Sequence, residues 1–290
     1  MELGLAYSIL AALVWGGYLF ALKQYFEGYP AATLSVCVNV FAIAFYLPVT
    51  LWALSNGAAD SLSADPLSAG VVALTVCATA GGFVLFLHAI AEGDVSYVAP
   101  INKIVPALVL PIEVLVLGQV LTPLQVAGVV VATLAVYVAN YRAGGLLDPL
   151  RRAARYRPAQ LALVSAALFA VSDVGKRVAL QELAIPTAVW VPLLLGGVLV
   201  VLSPLAVRER STDLRTDLPK FVAAGAVVAF AEHVTTAAFS LVPASIASPI
   251  INTQAIVAVL LGGVLLGESH FRIRIVAAAL AVAGVTLIAL

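Results

Sequence analysis

Two ionisable side chains in this sequence lie deep inside apolar runs. Lys103 stands about eight residues into the run 95–118, roughly 12 Å deep at 1.5 Å per helical residue. Glu232 lies near the middle of the run 218–241 and is followed by His233. Placing a charged group at bilayer depth costs about 2.5–3.5 kcal/mol on insertion scales, so each such residue invites a functional role. Lys103 can hold a substrate carboxylate; the alternatives are a lysine that snorkels to the interface or pairs with an acid such as Glu113. Glu232 can carry a coupling proton or meet a substrate ammonium, against a glutamate simply locked to a neighbouring helix.

Further polar and aromatic candidates surround these two. On a helical wheel Glu232, Thr235, Thr236 and Phe239 share one face, the arrangement expected of a cavity wall. His233 is a second proton-coupling candidate, while His88 and Asn102 are candidates to line the same space; a hydrogen-bonded structural histidine is the competing reading for both histidines. Ser165, Phe169, Ser172 and Lys176 form one narrow stripe. Asp173 precedes Lys176 by three and Arg177 by four, so a local helical ion pair is expected there. Ser245, Ser248, Asn252, Ala255 and Gly263 share a face on which small residues permit close helix packing; Asn252 is larger than packing requires and stays a candidate. Tyr7, Tyr18 and Tyr25 fall on one stripe with Trp15 beside it. Tyr7, Tyr25 and Trp190 fit an interfacial belt, whereas Trp15 and Tyr18 lie deep enough to stack on a flat substrate.

Catalysis finds little support. A zinc protease needs His-Glu-x-x-His, and the histidines are scattered at His88, His233 and His270. An intramembrane aspartyl protease needs two facing aspartates, and only Asp173 lies at depth. No enzyme activity, metal or cofactor is expected. Cys37 and Cys77 both lie in apolar runs and are expected to act as small buried hydrophobes.

These residues need elements to hold them, and composition says which. Hydrophobic residues make up 63% of the 290 and charged residues 10%, with mean hydropathy +1.10. Soluble domains carry roughly 25% charged residues, so this chain is expected to use lipid as its solvent. Basic and acidic residues number 15 each, which gives no hint of nucleic-acid binding. A helix needs about 20 apolar residues to cross a bilayer. That ruler places spans at 3–26, 30–54, 68–92, 95–118, 122–141, 159–183, 186–207, 218–241, 244–267 and 270–289. The expected fold is an all-α integral membrane protein of ten helices. The first run begins at Leu3 without a basic leader and is expected to be a spanning helix.

The two sets of five resemble each other. An offset of 149 aligns Pro100 with Pro249, Ile101 with Ile250 and Gly118 with Gly267; an offset of 156 aligns Pro30 with Pro186 and Pro48 with Pro204. Units with an odd number of spans must face opposite ways, which gives an inverted repeat. The expected divisions are repeats at 1–141 and 159–290 around a basic linker at 142–158. Lys23, the arginines from Arg142 to Arg157, Arg208 to Lys220, Arg272 and Arg274 gather on one side, against Lys176 and Arg177 on the other. The positive-inside rule puts the first group in the cytoplasm and both termini outside, in the inner (plasma) membrane. Pro100, Pro106, Pro111, Pro243 and Pro249 sit in or beside matching spans, as hinges or as static bends.

The stretch VAPINKIVPALVLPIEVLVLGQVLTPLQVAGVVVATLAVYVAN, from Val98 to Asn140, resembles the end of an EamA-type half. SIASPIINTQAIVAVLLGGVLLGESHFRIRIVAAALAVAGVTLIA, from Ser245 to Ala289, resembles it more fully, with Leu-Gly-Glu at 266–268. The first half ends Leu117-Gly118-Gln119, so the motif glutamate stands only at Glu268, where a structural cap suits it better than transport. The chain is therefore similar to ten-helix members of the drug/metabolite transporter superfamily, and nearest to YddG-like exporters of aromatic amino acids. This resemblance implies a central cavity lined by spans 1, 3, 4, 6, 8 and 9, with spans 5 and 10 peripheral. It implies alternating access without ATP, with a small amino-acid-like molecule as the cargo expected on family grounds, and the sequence shows no nucleotide-binding loop of its own; it does not fix whether the protein acts as a monomer. A drug, sugar or nucleotide-sugar exporter is the alternative within the superfamily.

Overall fold

The computed structural model describes residues 1–26, 28–58, 65–92, 101–139, 156–209, 214, 216–265 and 271–290. Its regular structure is helical throughout these residues: α1 (Glu2–Tyr25), α2 (Ala31–Ser55), α3 (Pro66–Glu92), α4 (Val105–Val116), α5 (Pro123–Ala139) and α6 (Arg157–Arg177). After a π-helical turn (Val178–Glu182) come α7 (Thr187–Arg208), α8 (Leu218–Leu241), α9 (Ala244–Asn252), α10 (Gln254–Leu265) and α11 (Phe271–Ala289). Among the described residues, seven stretches are long and apolar enough to cross a membrane, namely α1, α2, α3, α6 with its π turn, α7, α8, and α9 with α10 as one interrupted span. Phe45, Leu47, Val49, Leu51, Trp52 and Leu54 on α2 are all exposed, with Leu115 and Val207 at 81%, a spread of apolar surface that suits an apolar solvent.

Helix packing sorts the elements into two inner bundles. In one, α6 packs on α3 and α4; in the other, α1 packs on α8, α9 and α10. Helices α2 and α7 pack on each other and flank the bundles, and α5 pairs with α11. The α5–α11 crossing is close because glycines open it. A Cβ on Gly128 would stand 2.7 Å from the Ile288 nitrogen, and one on Gly284 would stand 2.5 Å from the Ala132 nitrogen.

Two spans are broken, and the breaks have local causes. Pro106 lacks the N–H that would bond the carbonyl of Asn102, and the chain turns at Lys103-Ile104 before α4 begins. In the later span Asn252 Nδ2 donates to the Ser248 carbonyl at 2.9 Å, and Thr253 Oγ1 donates to the Ile250 carbonyl at 2.6 Å. Side chains that take backbone carbonyls compete with the helix, and α9 ends there. Pro100, the linker residues 142–155, the Leu-Gly-Glu at 266–268, His270, Arg210 and Arg215 lie outside the described residues.

The cysteine expectation is corrected. Cys37 is half-buried and Cys77 exposed. A thiol facing an apolar solvent loses little by leaving the protein core, so burial was not required of it. Trp190 departs from the belt expectation in the opposite sense: it is fully buried within the main hydrophobic cluster, beside Val189 and Leu194.

Candidate functional site

The middle of the molecule holds polar groups that belong to no loop. Glu232 on α8 is half-buried, and its Oε2 is shielded from solvent with no hydrogen-bond partner in the structure. One turn further, Thr236 is fully buried and its Oγ1 is also without a partner. A buried polar atom left unpaired costs about 1–3 kcal/mol, so two of them on one helix face call for an explanation. Between them Thr235 accepts a hydrogen bond from Trp15 Nε1 at 2.9 Å, which ties α1 to this face of α8. Tyr18 meets the Trp15 ring edge-on, with centroids 5.5 Å apart. The structure thus brings Glu232, Thr236, Trp15 and, through that ring contact, Tyr18 into one region.

Lys103 sits half-buried in the turn that interrupts its span, directly before α4. Its neighbour Asn102 is buried and donates through Nδ2 to Ser165 Oγ at 2.9 Å; Ser165 in turn donates to the Gly82 carbonyl at 2.6 Å. Asn102 therefore braces the break against α6 and α3. Ser172 likewise shares a 2.6 Å hydrogen bond with Thr79 on α3. On the α6 stripe, Lys176 reaches across to the other bundle, its Nζ 5.9 Å from the centroid of the Phe239 ring on α8.

The expected ion pair within α6 is not what forms. Asp173 Oδ2 accepts a 2.6 Å hydrogen bond from Ser248 on α9. Arg177 turns to Glu113, 3.6 Å from Nε to Oε1, and to Glu182, 2.8 Å from Nη1 to Oε1. Glu113 is completely buried, and it accepts from the backbone N–H groups of Ala244 and Ser245, each at 2.7 Å, and from the Ser245 hydroxyl. This carboxylate caps the start of α9, where helix N–H groups lack intrahelical partners. Glu113 is the residue sequence reasoning missed, having weighed it only as a partner for Lys103. Its burial deep in an apolar run was the available signal.

Serines on α9 correct a second expectation. Ser245 and Ser248 do not merely leave room for packing; each donates to a carboxylate from the opposite bundle. Asn252 is occupied locally by Ser248, bonding its carbonyl and standing 3.4 Å from its hydroxyl. His233 shares a 2.7 Å hydrogen bond with Tyr46 on α2, a structural tie away from the unpaired atoms of α8. His88 is exposed near the end of α3. Among the described residues, no three His, Cys, Asp or Glu side chains could hold a metal ion.

Membrane-length apolar helices around a polar interior define a multi-pass membrane protein. The EamA-like transporter family model matches residues 2–141 and 157–290, and the chain belongs to that family. The fold is similar to that of a solved chain described only as "Crystal structure of protein", with a TM-score of 0.78 and 16% identity over 99% of this chain and 98% of the other. No curated protein matches the sequence significantly.

Proposed function

We propose that this transporter exports amino acids, aromatic ones foremost, by alternating access, and that the unpaired Glu232 and Thr236 are the core of its substrate site. The single observation that carries this reading is the pair of buried polar atoms one helical turn apart with nothing to bond. Glu113 and Asn102 are satisfied within the interior. Among the described residues Trp190 Nε1 and Arg177 Nε also lack a hydrogen-bond partner, but they lie on other helices, whereas Glu232 and Thr236 share one helix face, and that pair awaits a ligand. Glu232 suits a substrate ammonium, Lys103 a carboxylate, and the Trp15–Tyr18 edge an aromatic side chain.

An inverted pair of five-helix repeats, making ten spans in all, is the architecture we assign to this activity. The offset of 156 that aligns Pro30 with Pro186 also aligns Gly128 with Gly284 and Ala132 with Ile288, and these four meet reciprocally across the α5–α11 crossing. The offset of 149 aligns Lys103-Ile104 with Asn252-Thr253, the places where the two interrupted spans turn. Interrupted helices near the midplane are where secondary transporters bind substrate.

Reconstituted into liposomes, the protein is expected to catalyse counterflow of labelled phenylalanine, tyrosine or tryptophan. Flux no greater than in protein-free liposomes, with sugars or cationic drugs transported instead, would reject the substrate assignment.

A further inference from the structure

The two inner bundles are joined unevenly along their length. One end of the molecule carries the close of α4, the close of α6 with its π turn, the close of α8 and the start of α9; Pro243 marks it. Hydrogen bonds between the bundles sit at this end. Glu113 of α4 holds Ala244 and Ser245 of α9. Asp173 of α6 holds Ser248 of α9 one turn deeper. Gln181, in the π turn, donates through Nε2 to the carbonyls of Phe239 and Val242 at 2.7 and 2.9 Å, closing the free end of α8. Lys176 lies over Phe239 in the same layer.

At the other end, marked by Pro30, the polar bonds among the described residues stay within a bundle or run to a flanking helix. Asn102, Ser165 and Gly82 tie the first bundle to itself, while Glu209 accepts from the Thr33 N–H at 3.0 Å between α7 and α2. Apolar packing divides in the same way. One continuous cluster spans both bundles at the Pro243 end, with Val109 and Val174 from one, and Val242, Ile246 and Ile250 from the other. Towards Pro30 the buried core separates into Ala89, Ile101, Ala159 and Ala162 on one side and Phe221, Ala224 and Val228 on the other. The interrupted span repeats the pattern: α9 packs on α4 and α6, whereas the main partners of α10 are α1, α5 and α11.

We infer that Glu113, Asp173 and Gln181, with Ser245 and Ser248, form a gate that shuts the Pro243 end, and that the structure is the state closed there and parted at the Pro30 end. The inference rests on the transport reading above. Asp173 and Gln181 act as positioning residues, because they hold α9 and the end of α8 against the opposite bundle. The Thr253 break lets α9 swing without dragging α10, so releasing three rungs opens the gate while the α1–α10 contact stays packed.

The test is accessibility from each side. With Cys37 and Cys77 replaced by serine, a Glu232→Cys reporter, at a position half-buried rather than sealed, in right-side-out and inverted vesicles is treated with a membrane-impermeant maleimide. Gated protein should label from the Pro30 face and only slowly from the Pro243 face. Gln181→Ala and Ser248→Ala each delete one or two rungs, and each should raise the Pro243-face rate about fivefold to tenfold by shifting population. Equal labelling from both faces before these changes, or an unchanged Pro243-face rate in both variants with folding intact by thermal unfolding, would overturn the gate and leave a static brace. A Pro243-face rate that rises while the protein without the reporter cysteine transports no amino acid supports the gate and rejects the substrate reading alone.

Discussion

Ser245 donates both its backbone N–H and its hydroxyl to one oxygen of Glu113, so the first turn of α9 is capped by a carboxylate from α4. The second Glu113 oxygen takes the Ala244 N–H and stands 3.6 Å from Arg177 Nε. Removing this acid strands two helix N–H groups and leaves the Arg177 guanidinium, only 10% exposed, with Glu182 as its remaining partner. Glu113→Ala should therefore destabilise the fold by about 3–5 kcal/mol, the usual cost of breaking a buried charge pair from one side. Glu113→Gln keeps an acceptor and should lose less. Thermal unfolding in detergent ranks the three proteins, and a stable Glu113→Ala variant would show that the cap carries no weight.

Glu232 predicts the opposite balance. Its Oε2 has no partner to lose, so Glu232→Gln should leave the unfolding temperature unchanged or slightly raised. Transport should nonetheless fall by at least about tenfold, since a neutral amide loses the charge-assisted bond to an ammonium. A variant with normal flux would return Glu232 to the role of a structural residue.

Much of this was legible in the sequence, and the reasons differ by element. The apolar runs predicted at 30–54, 186–207 and 218–241 appear as α2, α7 and α8, because some twenty predominantly apolar residues in lipid leave the backbone little choice but a helix. The Thr253 break was not legible, since it depends on Asn252 and Thr253 turning their side chains onto carbonyls rather than outward. Asp173 illustrates the limit of local spacing. Lys176 and Arg177 lie at the right helical distance for an ion pair, yet Ser248, 75 residues away in sequence, takes the carboxylate. Tertiary partners decide such pairings, and a one-dimensional pattern ranks only the neighbours it contains. Glu232 is singled out in the sequence because an ionisable group is costly at depth, Thr236 because it shares that helix face and Trp15 because its ring lies deep enough to stack.

Trp15 separates stacking from hydrogen bonding. Trp15→Phe keeps a ring but deletes the 2.9 Å bond to Thr235, at about 1 kcal/mol of stability. If the ring meets an aromatic substrate, Trp15→Phe should keep most of the flux and Trp15→Ala should lose it. Competition between tryptophan and alanine for export reads the difference, because only the aromatic cargo should suffer from the alanine variant. Equal losses for both cargoes would assign Trp15 to packing α1 on α8.

Lys103 stands half-buried in the turn before α4, and its charge can be tested apart from its bulk. Lys103→Arg retains the cation, while Lys103→Ala removes it. The loss of one charge-assisted bond to a carboxylate should raise the KM for an amino acid about tenfold to a hundredfold in the alanine variant. The KM for the corresponding amine, which lacks the carboxylate, should not move. If both cargoes weaken together, Lys103 supports the break between Asn102 and α4 and takes no part in recognition.

The α5–α11 crossing tests whether the two outer helices behave as one reciprocal unit. A methyl on Gly128 must displace the backbone at Ile288, and a methyl on Gly284 must displace the backbone at Ala132. Neither contact ends on a flexible side chain, so each single alanine should cost about 1–3 kcal/mol by forcing the helices apart. The two methyls occupy the same seam from opposite sides. Once the first has separated the helices, the second finds space already made, and the double variant should cost clearly less than the sum. Unfolding midpoints of the four proteins give the coupling directly. An additive pair would mean that the helices tilt locally around each glycine, and the reciprocal geometry would then lose its weight as support for a repeat.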